Sequence, residues 1–104
     1  MIGRRVASRA EIERPGDYFG PCGDYTNGIP AVFFLKPNAR DADAPPGARS
    51  VQHVCSPPHT FRECPDGSLE IRASISNLLR GDTDGHSDDG WHGWLDEGHA
   101  WRQA

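Results

Sequence analysis

The feature that most constrains the fold is a strictly alternating segment that follows a Pro-Asp-Gly turn. Pro65-Asp66-Gly67 favours a tight turn because proline fixes φ, aspartate bonds its own backbone and glycine accepts a positive φ. After this turn, apolar and polar side chains alternate from Leu69 to Ser76, which is the period of a strand with one buried face. Residues 60–76 are therefore predicted to form a β-hairpin.

Three other segments predict further strands and turns. Residues 29–35 form the most apolar run in the chain, and its length and aromatic content suit a buried strand. Asn27-Gly28, directly before this run, is a strong signal for a tight turn. Asp96-Glu97-Gly98 separates two aromatic runs and predicts a second hairpin.

The content of turn-forming residues decides the fold class. The 104 residues include 12 glycines and 9 prolines, which favour short strands over long helices. We predict an all-β (β-dominated) single domain over residues 1–104, built of five to seven short strands in antiparallel hairpins. Residues 1–16 are predicted to form an N-terminal arm, in which residues 5–14 allow one short helix. Residues 17–104 are predicted to form the β-rich body.

The expected core combines the apolar run, the inward side of the first hairpin and the aromatic residues near the end. All three tryptophans lie in the last fourteen residues, and such large side chains predict that this segment belongs to the core. The predicted core residues are Val32, Phe34, Phe61, Leu69, Ile71, Ile75, Trp94 and Trp101.

The charge distribution bears on partners. The formal net charge is −4, and residues 81–97 hold several carboxylates but no lysine or arginine. An acidic body disfavours non-specific nucleic-acid binding, which depends on neutralising phosphates. Residues 82–89 superficially resemble a calcium loop but lack its glycine and glutamate spacing, which favours a solvated loop. The loops 37–49 and 81–90 are predicted contact surfaces for a protein partner.

The sequence predicts a reducing compartment. Residues 1–14 lack the apolar run of a secretory leader, and no stretch approaches the ~18 apolar residues of a membrane span. Three cysteines are a poor disulfide framework because the number is odd. In a cytosolic setting, cysteines and histidines are better interpreted as metal ligands or as buried side chains.

Four residues are the preferred ligands of a structural zinc ion. His53 and Cys55 share one face of a predicted strand with Val51, Cys22 lies in a Pro-Cys-Gly turn, and His92 begins the closing hairpin. Zinc is held by four nitrogen or sulfur ligands in structural sites. His59 and Cys64 are reserve ligands. The chain has no Cys-x-x-Cys or Cys-x-x-His pair, so buried thiols and hydrogen-bonded histidines stay open as the alternative.

Catalysis is the weaker interpretation. Cys55, with His53 or His59 and an aspartate from the acidic loop, could form a Cys-His-Asp set, but such a set is recognised only by its geometry. The sequence contains no Gly-x-Ser-x-Gly motif, phosphate-binding Gly-Lys loop or dinucleotide fingerprint. Stacking of nucleic-acid bases on the tryptophans is disfavoured because neighbouring aspartates would repel phosphates.

Two segments carry a resemblance to known proteins. They are Phe61 to Ile75, with its Ala73-Ser74-Ile75 ending, and the closing Trp91-His92-Gly93-Trp94-Leu95-Asp96-Glu97-Gly98; Cys22-Gly23 occupies the position of a cysteine knuckle. In these respects the chain resembles a family of small proteins of unknown function, common in bacteriophages and bacteria and above all in phages of actinobacteria. The family's knuckle usually has more than one cysteine. The resemblance implies metal binding at Cys22 and His92, whereas His53 and Cys55 are assigned from their own positions.

Together these observations predict a phage-encoded accessory protein. We expect a non-enzymatic protein-binding or structural module, with one structural zinc ion, that binds a host or virion protein. The predicted location is the host cytoplasm, with the virion as the second possibility. Two alternatives remain: a small metal- or cysteine-dependent enzyme, and an acidic decoy that inhibits a host nucleic-acid-binding protein.

Overall fold

The computed structural model describes residues 1–39, 43–45, 48–76 and 91–104. These residues form two four-stranded β-sheets. The first sheet has the order β1 (Arg4–Arg5), β2 (Asp17–Thr26), β3 (Ile29–Phe34) and β4 (Gln52–Cys55). The second has the order β5 (Thr60–Glu63), β6 (Leu69–Ser76), β7 (His92–Asp96) and β8 (Ala100–Gln103). Only β1 and β2 pair in parallel; the other neighbouring strands are antiparallel.

The all-β prediction is confirmed, and the number of strands is higher than expected. The described residues form eight strands, not five to seven, because Asp17–Thr26 is extended despite its many turn-forming residues. Register shifts between Phe19 and Cys22, and between Cys22 and Thr26, accommodate the irregular backbone of β2. The expected N-terminal helix is a single 3-10 turn over Arg9–Glu11.

The predicted turns lie where the sequence places them. The β5–β6 hairpin surrounds residues 65–67, with Glu63 opposite Leu69. Asn27 and Gly28 both have positive φ, 51° and 85°, as a two-residue hairpin loop with matching twist requires. The β7–β8 hairpin turns at residues 97–99, with Asp96 opposite Ala100.

The main core lies between the two sheets. The first sheet contributes Tyr18, Val32 and Phe34, and the second contributes aliphatic and aromatic side chains from β6 to β8. A smaller apolar cluster covers the other face of the first sheet, where Ile12 of the N-terminal arm packs with Phe33 and Leu35. Strand β3 is thus buried on both faces, which explains why its sequence is continuously apolar.

The N-terminal segment joins the two sheets. Ile2 forms an antiparallel bridge with Ala100 of β8, and the Gly3 amide donates to the His99 carbonyl at 2.7 Å. Further along, Arg4 and Arg5 pair with β2 of the first sheet. Arg4 also forms an ion pair with the buried Asp17 at 2.7 Å.

The core prediction is correct except at two positions. Phe61 is only partly buried and packs against the edge of the main core. Trp94 is half-buried on the opposite face of β7, and Trp91 takes the core position instead. Trp91 can pack inward because residue 93 is a glycine. A Cβ at position 93 would overlap the Arg102 carbonyl oxygen and lie 2.6 Å from the Trp91 ring. The indole of Trp91 therefore occupies the inward space beside Gly93.

Some predictions fall outside the described residues. The acidic loop 81–90, with the calcium-like pattern at residues 82–89, is not among them, and the loop 37–49 is described only in part. Within the described residues, no helix has the length and apolar character needed to cross a membrane.

Candidate functional site

The outward side of the second sheet carries a connected group of charged and polar side chains. Along β7, Gly93 and Leu95 point inward, so the side chains between them point away from the core. An irregularity in β6 between Ile71 and Ile75 adds residues opposite β7. We call this surface the exposed face; it consists of Arg62, Glu70, Arg72, Ser74, His92, Trp94, Asp96 and Arg102.

Five charged side chains form an alternating row across all four strands of the exposed face. At one end, Arg62 of β5 donates from Nη2 to Glu70 of β6 at 3.0 Å. In the middle, Arg72 lies 3.6 Å from Glu70 and donates to Asp96 of β7 at 2.7 Å. At the other end, Arg102 of β8 donates from Nε to Asp96 at 2.9 Å.

The row keeps its carboxylates charged at neutral pH. Hydrogen bonds from Arg102, joined by those from Arg72, lower the pKa of Asp96 despite its partial burial. A hydrogen bond from Arg62 likewise lowers the pKa of Glu70. The exposed face is therefore a fixed pattern of full charges in this pH range.

The positive charges of the row lie further out than the negative ones. The side chains of Arg62 and Arg102 are 54% and 53% exposed, and that of Arg72 is 38% exposed. The side chains of Glu70 and Asp96 are only 23% and 25% exposed. Within the row the guanidinium groups are therefore the more exposed members. At the Arg62 end, a further carboxylate, that of Glu97, lies 3.9 Å from Nη2 of Arg62, and its side chain is 53% exposed.

Trp94 lies beside this row. The Arg102 guanidinium stacks on the Trp94 ring, 4.2 Å from its centroid, and the His92 ring lies 5.9 Å away on the neighbouring position. His92 is itself held by a 3.0 Å hydrogen bond between Nε2 and the Ser74 hydroxyl. The sequence contained the signal for this arrangement, because alternation from Trp91 places residues 92, 94 and 96 on one face.

The four preferred zinc ligands lie on two different surfaces. Cys22 and Cys55 are on the covered face of the first sheet, on either side of Ala31, and His53 stacks near Phe33 with ring centroids 5.8 Å apart. His92 is on the exposed face of the second sheet. The main core separates the two surfaces, so these four side chains do not surround a common point. Zinc binding stays a prediction.

The two reserve zinc ligands, His59 and Cys64, lie in surroundings that differ from each other. His59 donates from Nε2 to the Ser74 carbonyl at 3.1 Å, and its buried Nδ1 has no hydrogen-bond partner in the described structure. The buried Cys64 lies with Asp66 and Glu97, and the ligand atoms of these three lie within 4.8 Å of one another. Asp66 is also bound by the amide and hydroxyl of Ser68, which orders the turn. Sequence reasoning placed Asp66 and Glu97 only in turns.

The Cys-His-Asp alternative stays a prediction, because the aspartates of the acidic loop lie outside the described residues. Cys55 and His53 are two positions apart on β4, and Cys55 packs against the apolar cluster around Ala31. Among the described residues, no carboxylate joins them in a group of ligand atoms within 4.8 Å.

No protein-family model, curated protein or solved structure matches the chain. The resemblance of the C-terminal half to small phage proteins therefore stays a prediction.

Proposed function

We propose that the protein is a non-enzymatic protein-binding module and that the exposed face is its binding surface. The observation that carries this proposal is the position of Trp94. The other two tryptophans are buried, whereas Trp94 is only partly buried and lies against Arg102 and His92. Tryptophan and arginine are the residues most enriched where alanine substitution costs a protein interface most of its binding energy.

The side chains of the exposed face are held in fixed positions, and this supports the same function. Its side chains project from paired strands, and Asp96 holds both Arg72 and Arg102 in place. Association costs entropy for every long side chain that becomes fixed, so groups already held in place lose less on binding. A surface loop would have to be ordered at the moment of binding.

The biological setting rests on the sequence alone. The resemblance favours a phage-encoded accessory protein whose partner is a host or virion protein, in the host cytoplasm or on the virion. The alternative of an acidic decoy rests on the carboxylates of residues 81–90, which lie outside the described residues.

The test is site-specific photo-crosslinking followed by affinity measurement. A photoreactive phenylalanine analogue at position 94 is expected to capture a partner that the same group at the exposed position 14 does not. With the purified partner, Trp94→Ala should weaken binding about tenfold or more while the melting temperature stays close to that of the parent. Arg14→Ala is the control and should leave affinity unchanged. Equal capture from both positions, or an affinity unaffected by Trp94→Ala, would refute the proposal.

A further inference from the structure

We propose that Asn27 is a modification site, at which the side-chain amide is hydrolysed without an enzyme. We propose further that the hydrogen bond from the Gly28 amide to the Gly23 carbonyl slows this reaction in the folded protein. Both statements go beyond the binding function and do not depend on it. Water is the only co-reactant that the reaction needs.

The reaction joins the Asn27 side chain to the backbone nitrogen of the next residue. The Gly28 nitrogen loses its proton to the solvent and attacks Cγ of Asn27. The new N–Cγ bond closes a five-membered ring, and the bond from Cγ to the side-chain nitrogen breaks and releases ammonia. Water then opens the ring at either of its carbonyls, which gives aspartate or isoaspartate. One water is consumed and one ammonia is released for each converted residue.

Sequence and exposure single out Asn27 for this reaction. The chain has asparagines at positions 27, 38 and 77, and only Asn27 is followed by glycine. A glycine has no Cβ to obstruct the approach of its own nitrogen to the neighbouring side chain. Asn27 and Gly28 are both exposed, and a Cβ on Gly28 would meet nothing within 4 Å. Water can therefore reach the turn, and ammonia can leave it.

The backbone of the folded hairpin opposes the same reaction. The Gly28 amide donates to the Gly23 carbonyl at 2.8 Å, so the nitrogen that must lose its proton is held in a hydrogen bond. Thr26 and Ile29 pair across the turn, which fixes the backbone that ring closure would have to rotate. The hairpin end must therefore open locally before Asn27 reacts, and the rate falls with the fraction of time that it is open.

The two products affect the turn differently. Asp-Gly suits the same two-residue loop as Asn-Gly, so conversion to aspartate adds a negative charge and preserves the hairpin. Isoaspartate routes the chain through the former side chain and adds a carbon to the backbone between Thr26 and Ile29, which pair in the folded protein. We therefore expect the loss of native pairing in ageing protein to begin at this end of β2 and β3.

The experiment incubates the full chain in mildly alkaline buffer, once folded and once in concentrated urea, and follows each asparagine by peptide mapping with mass spectrometry. In urea, Asn27 is expected to convert about tenfold faster than Asn38, because alanine follows Asn38. In the folded protein, Asn27 should convert about tenfold or more slowly than in urea, and hydrogen exchange at the Gly28 amide should be slowed to a similar degree. Asn27→Gln is the control and should show no conversion over the same period, because its longer side chain closes a ring less readily.

Three results would overturn the proposal. Equal conversion of Asn27 and Asn38 in urea would mean that Asn27 is not a preferred site. Equal conversion of Asn27 in the folded and the unfolded protein, or an unprotected Gly28 amide, would mean that the hydrogen bond to Gly23 does not slow the reaction. The same gain of mass in the Asn27→Gln protein would place the modification elsewhere in the chain.

Discussion

The outer faces of the two sheets differ in polarity and in whether another segment covers them. The outer face of the first sheet is apolar and is covered by the N-terminal arm through Ile12 and Val6. The outer face of the second sheet has no apolar cluster among the described residues and displays an ordered row of charges beside Trp94. A covered face contributes mainly to stability, whereas a polar, ordered and open face is available for recognition. The contrast therefore separates residues that hold the fold from residues that we assign to binding.

The sharpest test of this contrast compares one aromatic residue from each outer face. Phe33 is 2% exposed and lies beneath the Arg9 guanidinium, so Phe33→Ala should reduce the free energy of unfolding by about 3–5 kcal/mol. Trp94→Ala should reduce it by clearly less, because the indole is only partly buried and belongs to neither apolar cluster. Urea denaturation of the two variants measures both values. Similar losses would show that the outer faces do not differ in the way described.

A second test concerns Gly93, whose missing side chain leaves the space that the buried Trp91 ring occupies. Gly93→Ala places a methyl group against the Trp91 ring and the Arg102 carbonyl, and we expect a loss of about 1–3 kcal/mol. His92→Ala, at the adjacent outward position, is the control and should change stability much less. Thermal melting of both variants checks the prediction. A Gly93→Ala protein as stable as the parent would mean that Trp91 can move aside at little cost.

The smallest effect is expected in the response to acid. Burial alone would raise the pKa of Asp17, but hydrogen bonds from Arg4 and from the amides of Glu13 and Arg14 outweigh it and lower the pKa below 3.8. The pKa of Asp96 is also lowered, mainly by the hydrogen bond from Arg102. A carboxylate with a lowered pKa stabilises the fold above its unfolded-state pKa, and this contribution is lost as the pH falls through the folded-state value.

Stability should therefore decrease below about pH 5, and Asp17→Asn should remove more of that decrease than Asp96→Asn. Asp17 is 1% exposed and accepts bonds from the backbone as well as from Arg4, whereas Asp96 depends on partly exposed arginines. Denaturation at a series of pH values for the parent and both variants provides the comparison. An equal flattening by the two substitutions would contradict it.

Much of the fold was predictable because its signals are local. The Pro65-Asp66-Gly67 turn and the alternation in β6 specify a hairpin without reference to the rest of the chain. The irregular strand β2 was harder to predict, because pairing with β3 overrides the turn preferences of its own residues. The eight strands also depend on β1, which is only two residues long and has no periodic pattern.

The candidate site was less predictable because it depends on which residues meet across strands. The row from Arg62 to Arg102 joins positions up to forty residues apart, and its pairs follow from the register of four strands. Trp94 was assigned to the core because its size favours burial, and the close approach of Trp91 to Gly93 was not visible in the sequence. The cysteine and histidine positions were grouped by residue type, and the structure distributes them over different faces.

The pairing of the chain's first residues with residues 99–101 has a consequence for biosynthesis. The Trp101 amide donates to the Met1 carbonyl, and Ile2 bridges to Ala100, so these contacts join segments about a hundred residues apart in sequence. Contacts between such distant segments form late and slow the folding of a domain. On the ribosome, the first residues must wait unpaired until β8 has emerged from the exit tunnel. The two sheets can be joined at this edge only after translation has passed residue 101.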